Sequence, residues 1–179
     1  MRVLVIYGSL RTLSINKALA EAARELAPDG MTIQLTGVSG LSLYNEDQEN
    51  PLPKEAADLK EKIRLADGVI IATPEFNRGM PGPLKNALDW VSRPSGEHPW
   101  GEKPVGVIGA SSGPRGAVTA QYDVKRMMLY FGAHVMGTPE FYVDNSDKKI
   151  DGGVVRDEQT KEYLQRYLAA FKAHVERFR

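Results

Sequence analysis

The sequence predicts a doubly wound α/β fold, a parallel sheet of five strands between two layers of helices, from three observations. Short, continuous apolar runs of strand length alternate with longer stretches of helical period, as expected for strands buried on both faces and joined by crossover helices. The alternation is strict, five runs with five helices. With 179 residues, the chain is a comfortable size for one domain with a sheet covered on both faces, and one domain is expected.

The predicted strands are Arg2 to Tyr7, Thr32 to Gly37, Gly68 to Thr73, Pro104 to Ala110 and Ala133 to Val143. The first crossover helix, Ser14 to Ala27, places Ile15, Ala18, Leu19, Ala22, Ala23 and Leu26 on one face and stops before Pro28 and the turn Asp29-Gly30. Lys54 to Ala66 is the second. Pro83 to Val91 is the third, opened by Pro81-Gly82, and Ala117 to Phe131 the fourth, ended by Gly132. Asp157 to Phe178 is the last. Leu41 to Pro53 reads as a long polar loop and Asn145 to Val155 as an exposed, hairpin-like excursion. The pattern suits the flavodoxin-like strand order 2-1-3-4-5 in three α/β/α layers, with residues 1–179 as one domain.

Composition narrows the chemistry. With 42% hydrophobic and 26% charged residues the chain is of ordinary globular type. Lys plus Arg and Asp plus Glu both total 23, so no whole-protein field favours nucleic acid or an anionic membrane, and any anion site must be local. The absence of cysteine removes disulfides, thiolate nucleophiles and dithiol redox chemistry, so redox activity would need a borrowed cofactor. His98, His134 and His174 have no metal-ligand spacing and read as structural. The apolar part of Met1 to Tyr7 is too short for a signal peptide or a span and runs straight into Gly8-Ser9, which points to a cytoplasmic protein.

Ligands of doubly wound sheets sit beyond the carboxyl ends of the strands, which directs attention to three loops. After the first strand, Gly8-Ser9-Leu10-Arg11-Thr12-Leu13-Ser14-Ile15-Asn16 leads into a helix N-terminus, where backbone donors and the positive end of the helix dipole favour a phosphate. Arg11 can clamp it, and Ser9, Ser14 and Asn16 are short donors around Ile15. A capping role for Ser14 and a solvated Arg11 are the alternative. The loop is neither a Walker loop nor Gly-x-Gly-x-x-Gly. The loop Thr73 to Gly82 contains Pro74, Glu75, Phe76, Asn77 and Arg78; an apolar face on a Gly/Pro-stiffened backbone suits a flat heterocycle, unless Phe76 fills the core. In the third, Ser111, Ser112, Gly113 and Gly116 offer amides that can approach a ring edge where negative charge develops, the alternative being an ordinary strand-to-helix turn.

Gly8-Ser9-Leu10-Arg11 with Ser14 and Asn16, then Pro74-Glu75-Phe76-Asn77, Gly79, Pro81-Gly82, Leu84-Lys85-Asn86-Ala87 and Asp89-Trp90, together resemble the NADPH-dependent FMN reductase family, which includes quinone, azo-dye and chromate reductases. The resemblance runs from the first strand through the fourth helix. It implies that Ser9, Arg11, Ser14 and Asn16 hold the FMN phosphate, that Pro74, Glu75, Phe76 and Asn77 lie along the flavin and ribityl chain with Arg78 adjacent, and that Ser111 to Gly116 meets the ring from the other side. It also implies a homodimer or homotetramer. Two departures stand out: Thr119 replaces an arginine frequent in the family, and Phe76 a tyrosine.

The implied chemistry is ping-pong: NADPH or NADH reduces the flavin, which then reduces a small-molecule acceptor such as a quinone, a free flavin, an azo compound or a metal oxyanion. No catalytic side chain and no metal is demanded. Arg78 or Arg115 could meet the 2'-phosphate of NADPH. Leu84 and Leu88 read as core, whereas Trp100, in a Gly/Pro-rich loop, reads as a substrate lid or partner contact. Flavodoxin-like electron carriers and non-catalytic flavin-binding regulators are the rival classes; carriers tend to be acidic, and this chain is balanced.

Overall fold

The structure, a computed structural model, describes residues 1–178. Four parallel strands form its centre: β1 (Arg2–Tyr7), β2 (Thr32–Gly37), β3 (Gly68–Thr73) and β4 (Pro104–Ala110). Every residue of β3 and β4 is buried, which explains why both read as unbroken apolar runs. β1 lies between β2 and β3, with Val5 opposite Leu35 on one side and Ile70 on the other. The order is β2-β1-β3-β4-β5, as the sequence predicts.

The fifth position differs from expectation. The predicted strand over 133–143 is two short strands, β5 (His134–Val135) beside Pro104 and Val105, and β6 (Tyr142–Val143) beside Gly109 and Ala110. Between them lie Gly137 and Pro139, and proline has no N–H for the ladder. Pairing resumes once Phe141 turns inward. The excursion that follows is a hairpin, β7 (Ile150–Asp151) against β8 (Val154–Val155), turned by Gly152 and Gly153, both at positive φ. It is not wholly exposed, because Ile150 and Val155 bury against the core.

Helices α1 (Ile15–Glu25) and α5 (Glu158–Arg177) cover one face of the sheet. The other is covered by α2 (Lys54–Leu65), α3 (Gly82–Val91) and α4 (Val118–Tyr130). Strand β1 shows the division: Val3 and Val5 face Leu19 and Phe171, and Leu4 and Ile6 face Ile63 and Leu84. Leu84 and Leu88 are core, as expected.

Trp100 contradicts its expected role as a lid or partner contact. It is fully buried in the cluster of Leu88, Val91 and Val105, because its Gly/Pro-rich loop folds the indole inward, not outward. Trp90 is also buried, and its Nε1 donates to the carbonyl of Ser42 at 2.8 Å. Asn86, one turn earlier, donates to the same carbonyl and accepts from Tyr44 N. These two α3 side chains clasp the long loop after β2 by its backbone. Of the three histidines, His134 stacks on Phe178, His174 bonds the His134 carbonyl, and His98 leans on Phe131.

Candidate functional site

The first loop leaves β1 through Gly8, whose N–H donates to Ala72 O of β3. A Cβ at Gly8 would stand 2.9 Å from the Leu84 side chain, so glycine is required for α3 to pass this close. Ser14 is the N-cap of α1, accepting from Lys17 N at 3.1 Å. The N–H groups of Ile15 and Asn16, on the first turn, have no partner among the described residues, and no acidic side chain occupies that turn. Arg11 is exposed beside them, and Ser9 Oγ accepts from Arg11 N at 3.3 Å. Capping and anion binding are thus compatible here: Ser14 satisfies one donor and leaves two.

Asn16 departs from its expected side-chain role. It is fully buried, with Nδ2 donating to Ala110 O and Oδ1 accepting from Ala110 N, both at 3.0 Å. The first turn of α1 lies against the end of β4, so the amide joins the first loop to the fourth and leaves only its backbone N–H for an anion.

The loop after β3 turns through a tight hairpin in which Phe76 and Gly79 exchange two backbone bonds, at 3.2 and 3.0 Å. Asn77 and Arg78 at its tip have φ of 51° and 65°, a left-handed conformation disfavoured for arginine. Phe76 is 57% exposed and does not fill the core. Pro74 is buried at the base. Glu75 turns away from solvent: Oε2 accepts from Thr119 N at 2.8 Å and Ala120 N at 3.2 Å, and Oε1 lies 3.4 Å from Arg78.

The loop after β4 is anchored through Ser111 N to Val143 O, Ser146 N to Ser111 O and Asn145 N to Gly113 O. Gly116 has φ of 55°, and a Cβ there would meet Tyr142 at 2.8 Å, so this glycine serves the packing against β6. Glu75, Asn77, Arg78, Ser111, Ser112 and Gly113 line an open cleft of about 350 Å³, which Pro114 and Arg115 complete. Arg115 is exposed and has no acidic partner among the described residues. Ser9, Arg11, Ser14, Ile15, Asn16, Pro74, Phe76 and Gly116 do not line it; the first loop joins it through the Gly8 to Ala72 and Asn16 to Ala110 bonds. A larger groove, about 720 Å³, runs from Met80 and Asp123 between α3 and α4 past Lys85, Arg126 and Tyr130.

A flavodoxin-like sheet, two unpartnered amides at the start of the first helix and a cleft between the two neighbouring loops form the arrangement in which doubly wound sheets take their ligands. Residues 1–148 match the family described as NADPH-dependent FMN reductase, and the chain belongs to that family. It is 41% identical to a 2-hydroxy-1,4-benzoquinone reductase of a Burkholderia species, covering 98% of this chain and 96% of that protein. It is 37% identical to a quinone reductase of Escherichia coli, covering 99% and 96%. Among solved structures, the flavoenzyme NAD(P)H:(acceptor) oxidoreductase FerB of Paracoccus denitrificans aligns with a TM-score of 0.90 and 37% identity, over 99% of this chain and 98% of that one. The protein is an NAD(P)H-dependent oxidoreductase of the FMN reductase type.

Sequence reasoning missed the partners that give the loops their shape. Asp123, Thr119 and Ala120 of α4 hold the loop after β3, and Ala110 holds Asn16. A signal existed for Asn16 alone: it precedes Leu19, Ala20 and Ala23 by three, four and seven residues, which puts it on the buried stripe of α1.

Proposed function

We propose that residues 1–179 act as one flavin-binding domain that takes FMN with its phosphate at the start of α1 and its ring in the cleft between the loops after β3 and β4, and that reduces quinones with NADPH or NADH as donor. The observation that carries this reading is the pair of unpartnered N–H groups of Ile15 and Asn16, set beside Arg11 and Ser9 at the positive end of α1. The residues present fit the cofactor: a cationic and hydroxyl-bearing cradle for a phosphomonoester, then an open cleft one loop away. Free flavins, azo compounds and metal oxyanions are further acceptors for an open site of this kind.

When bound, FMN supplies the hydride-accepting and electron-donating chemistry. The chain's own work is to bind and orient. Arg11 and Ser9 would donate to the phosphate, the exposed Phe76 ring would offer an apolar edge, and the amides of Ser112 and Gly113 would approach where negative charge develops, since that of Ser111 is taken by Val143 O. Arg78 is engaged with Glu75, which leaves Arg115 as the cation for a 2'-phosphate on the donor. No side-chain nucleophile enters.

The relatives named for quinone reduction favour that acceptor class. A homodimer or homotetramer fits the exposed Tyr122, Leu129 and Tyr130 on α4, and a cytoplasmic setting fits a cysteine-free user of NAD(P)H. No helix among the described residues is long and apolar enough to cross a membrane.

Steady-state kinetics of the FMN-loaded protein with NADPH and a benzoquinone, both varied, test the reading. Expected are turnover and parallel reciprocal plots. Bound FMN that NADPH does not bleach would contradict it and support a carrier or regulator.

A further inference from the structure

We infer that Glu75 and Asp123 are positioning residues, two carboxylates that lock the hairpin after β3 onto the first turns of α4 so that the hairpin and the N-terminus of that helix form one unit. The inference rests on the proposed flavin site for its consequence, although the lock itself is a property of the flavin-free chain.

Helix α4 needs an external cap. Its N-cap, Ala117, has φ of 64° and no side chain that can accept, and no acidic residue lies in its first turn. The first N–H groups of a helix have no acceptor within it and, near a buried core, must find one elsewhere. Glu75, 44 residues earlier in the chain, supplies it: Oε2 accepts from Thr119 N and from Ala120 N, at the positions where an N-cap side chain would bond. Its side chain is only 8% exposed, so the carboxylate is committed to the helix and not available to a ligand. The negative charge also meets the positive end of the helix dipole.

The second tether runs the other way. Asp123, one turn further along α4, accepts from Met80 N at 3.2 Å through Oδ2, and that oxygen lies 3.4 Å from where a Cβ of Gly79 would stand. The hairpin is therefore held on both shoulders, at Glu75 and at Met80. Between the tethers stand Asn77 and Arg78, both in the left-handed region without being glycine. Such a conformation persists where the surroundings over-determine it. Here the surroundings are the two carboxylates, the paired bonds of Phe76 with Gly79, and the contact of Arg78 with the free oxygen of Glu75. Asn77 and Arg78 are what the tip of the hairpin presents at the cleft, with the exposed Phe76 next to them in the chain. In this geometry Glu75, itself at the edge of the cleft, acts on the proposed FMN site through the backbone it holds.

The test compares the full-length wild type with Glu75→Ala, Glu75→Gln, Asp123→Ala and Asp123→Asn, first flavin-free and then titrated with FMN. Amide hydrogen exchange by NMR reads the lock directly. In flavin-free Glu75→Ala the amides of Thr119 and Ala120 should exchange about tenfold faster, as should those of Phe76 and Gly79, with distant β1 amides unchanged, and FMN affinity should fall about tenfold. Glutamine keeps an acceptor oxygen, so Glu75→Gln should restore most of the protection and of the affinity; Asp123→Ala should loosen Phe76, Gly79 and Met80, and Asp123→Asn should rescue them. The proposal is overturned if exchange at Thr119 and Ala120 in the flavin-free chain is the same with alanine as with glutamate, or if glutamine fails to rescue while the β1 amides stay protected. If an alanine variant does not fold, the glutamine and asparagine variants keep the shape and decide the matter by their retention of protection. A wild type with no affinity for FMN would sink the flavin reading, and the exchange data would still decide the lock.

Discussion

Asn16 and Asp157 show how much a single side chain can be read in advance. Asn16 sits in a loop that reads as a phosphate cradle, yet its amide closes on Ala110, 94 residues away, and only the backbone N–H stays free. The buried stripe of α1 foretells its burial; its partner lies across the sheet and leaves no local trace. Local chemistry is more legible. Asp157, the first residue of the predicted last helix, is its N-cap, and its Oδ2 accepts from Thr160 N at 2.8 Å and Thr160 Oγ1 at 2.6 Å. Those hydrogen bonds, the side-chain one foremost, hold its carboxyl below the usual carboxylate range. A depressed folded pKa means that the cap's stabilisation is full above the ordinary carboxylate pKa and is lost as pH falls through the lowered folded value. Urea unfolding of the wild type and Asp157→Ala should differ by about 1 kcal/mol at pH 7 and converge in strong acid. A gap that stays constant to pH 2 would contradict the assignment.

At the scale of elements, helices and central strands were legible because burial on two faces writes continuous apolar runs and burial on one face writes a 3.6 period. The fifth strand was not, since the apolar run from Ala133 to Val143 hides a break at Gly137 and Pro139 that shifts two short pieces against different parts of β4. The inward turn of Trp100 was equally hidden, because its loop is short of apolar period. The family-like stretch Leu84 to Trp90 carries a role that no local pattern reveals: Asn86 and Trp90 hold Ser42 and Tyr44 by their backbone. Trp90→Phe keeps the ring and removes the bond to Ser42. It should cost about 1 kcal/mol and speed proteolysis within residues 41–53 while leaving the far sheet edge intact. Asn86→Ala, which removes two bonds, should do more. Equal cleavage rates in all three proteins would show that the loop is held by other means.

For the whole molecule, the strand order places the loops after β1, β3 and β4 along one edge, and every proposed contact with FMN follows from that placement. This much was available from alternation and length. The cleft itself was not, because its walls are set by long-range bonds: Glu75 to α4, Ser111 to Val143 and Asn145 to Gly113. Balanced charge leaves the positive character of the site to Arg11, Arg78, Arg115 and a helix end, so binding should depend on a few named groups. The most direct measurement is a fluorescence titration of the flavin-free protein with FMN, wild type against the double variant Ser9→Ala/Arg11→Ala. Saturable binding by the wild type, weakened at least about tenfold in the double variant, is the result expected from loss of charge-assisted bonds to phosphate. A folded wild type without saturable FMN binding, or a double variant with the same affinity, would contradict the site.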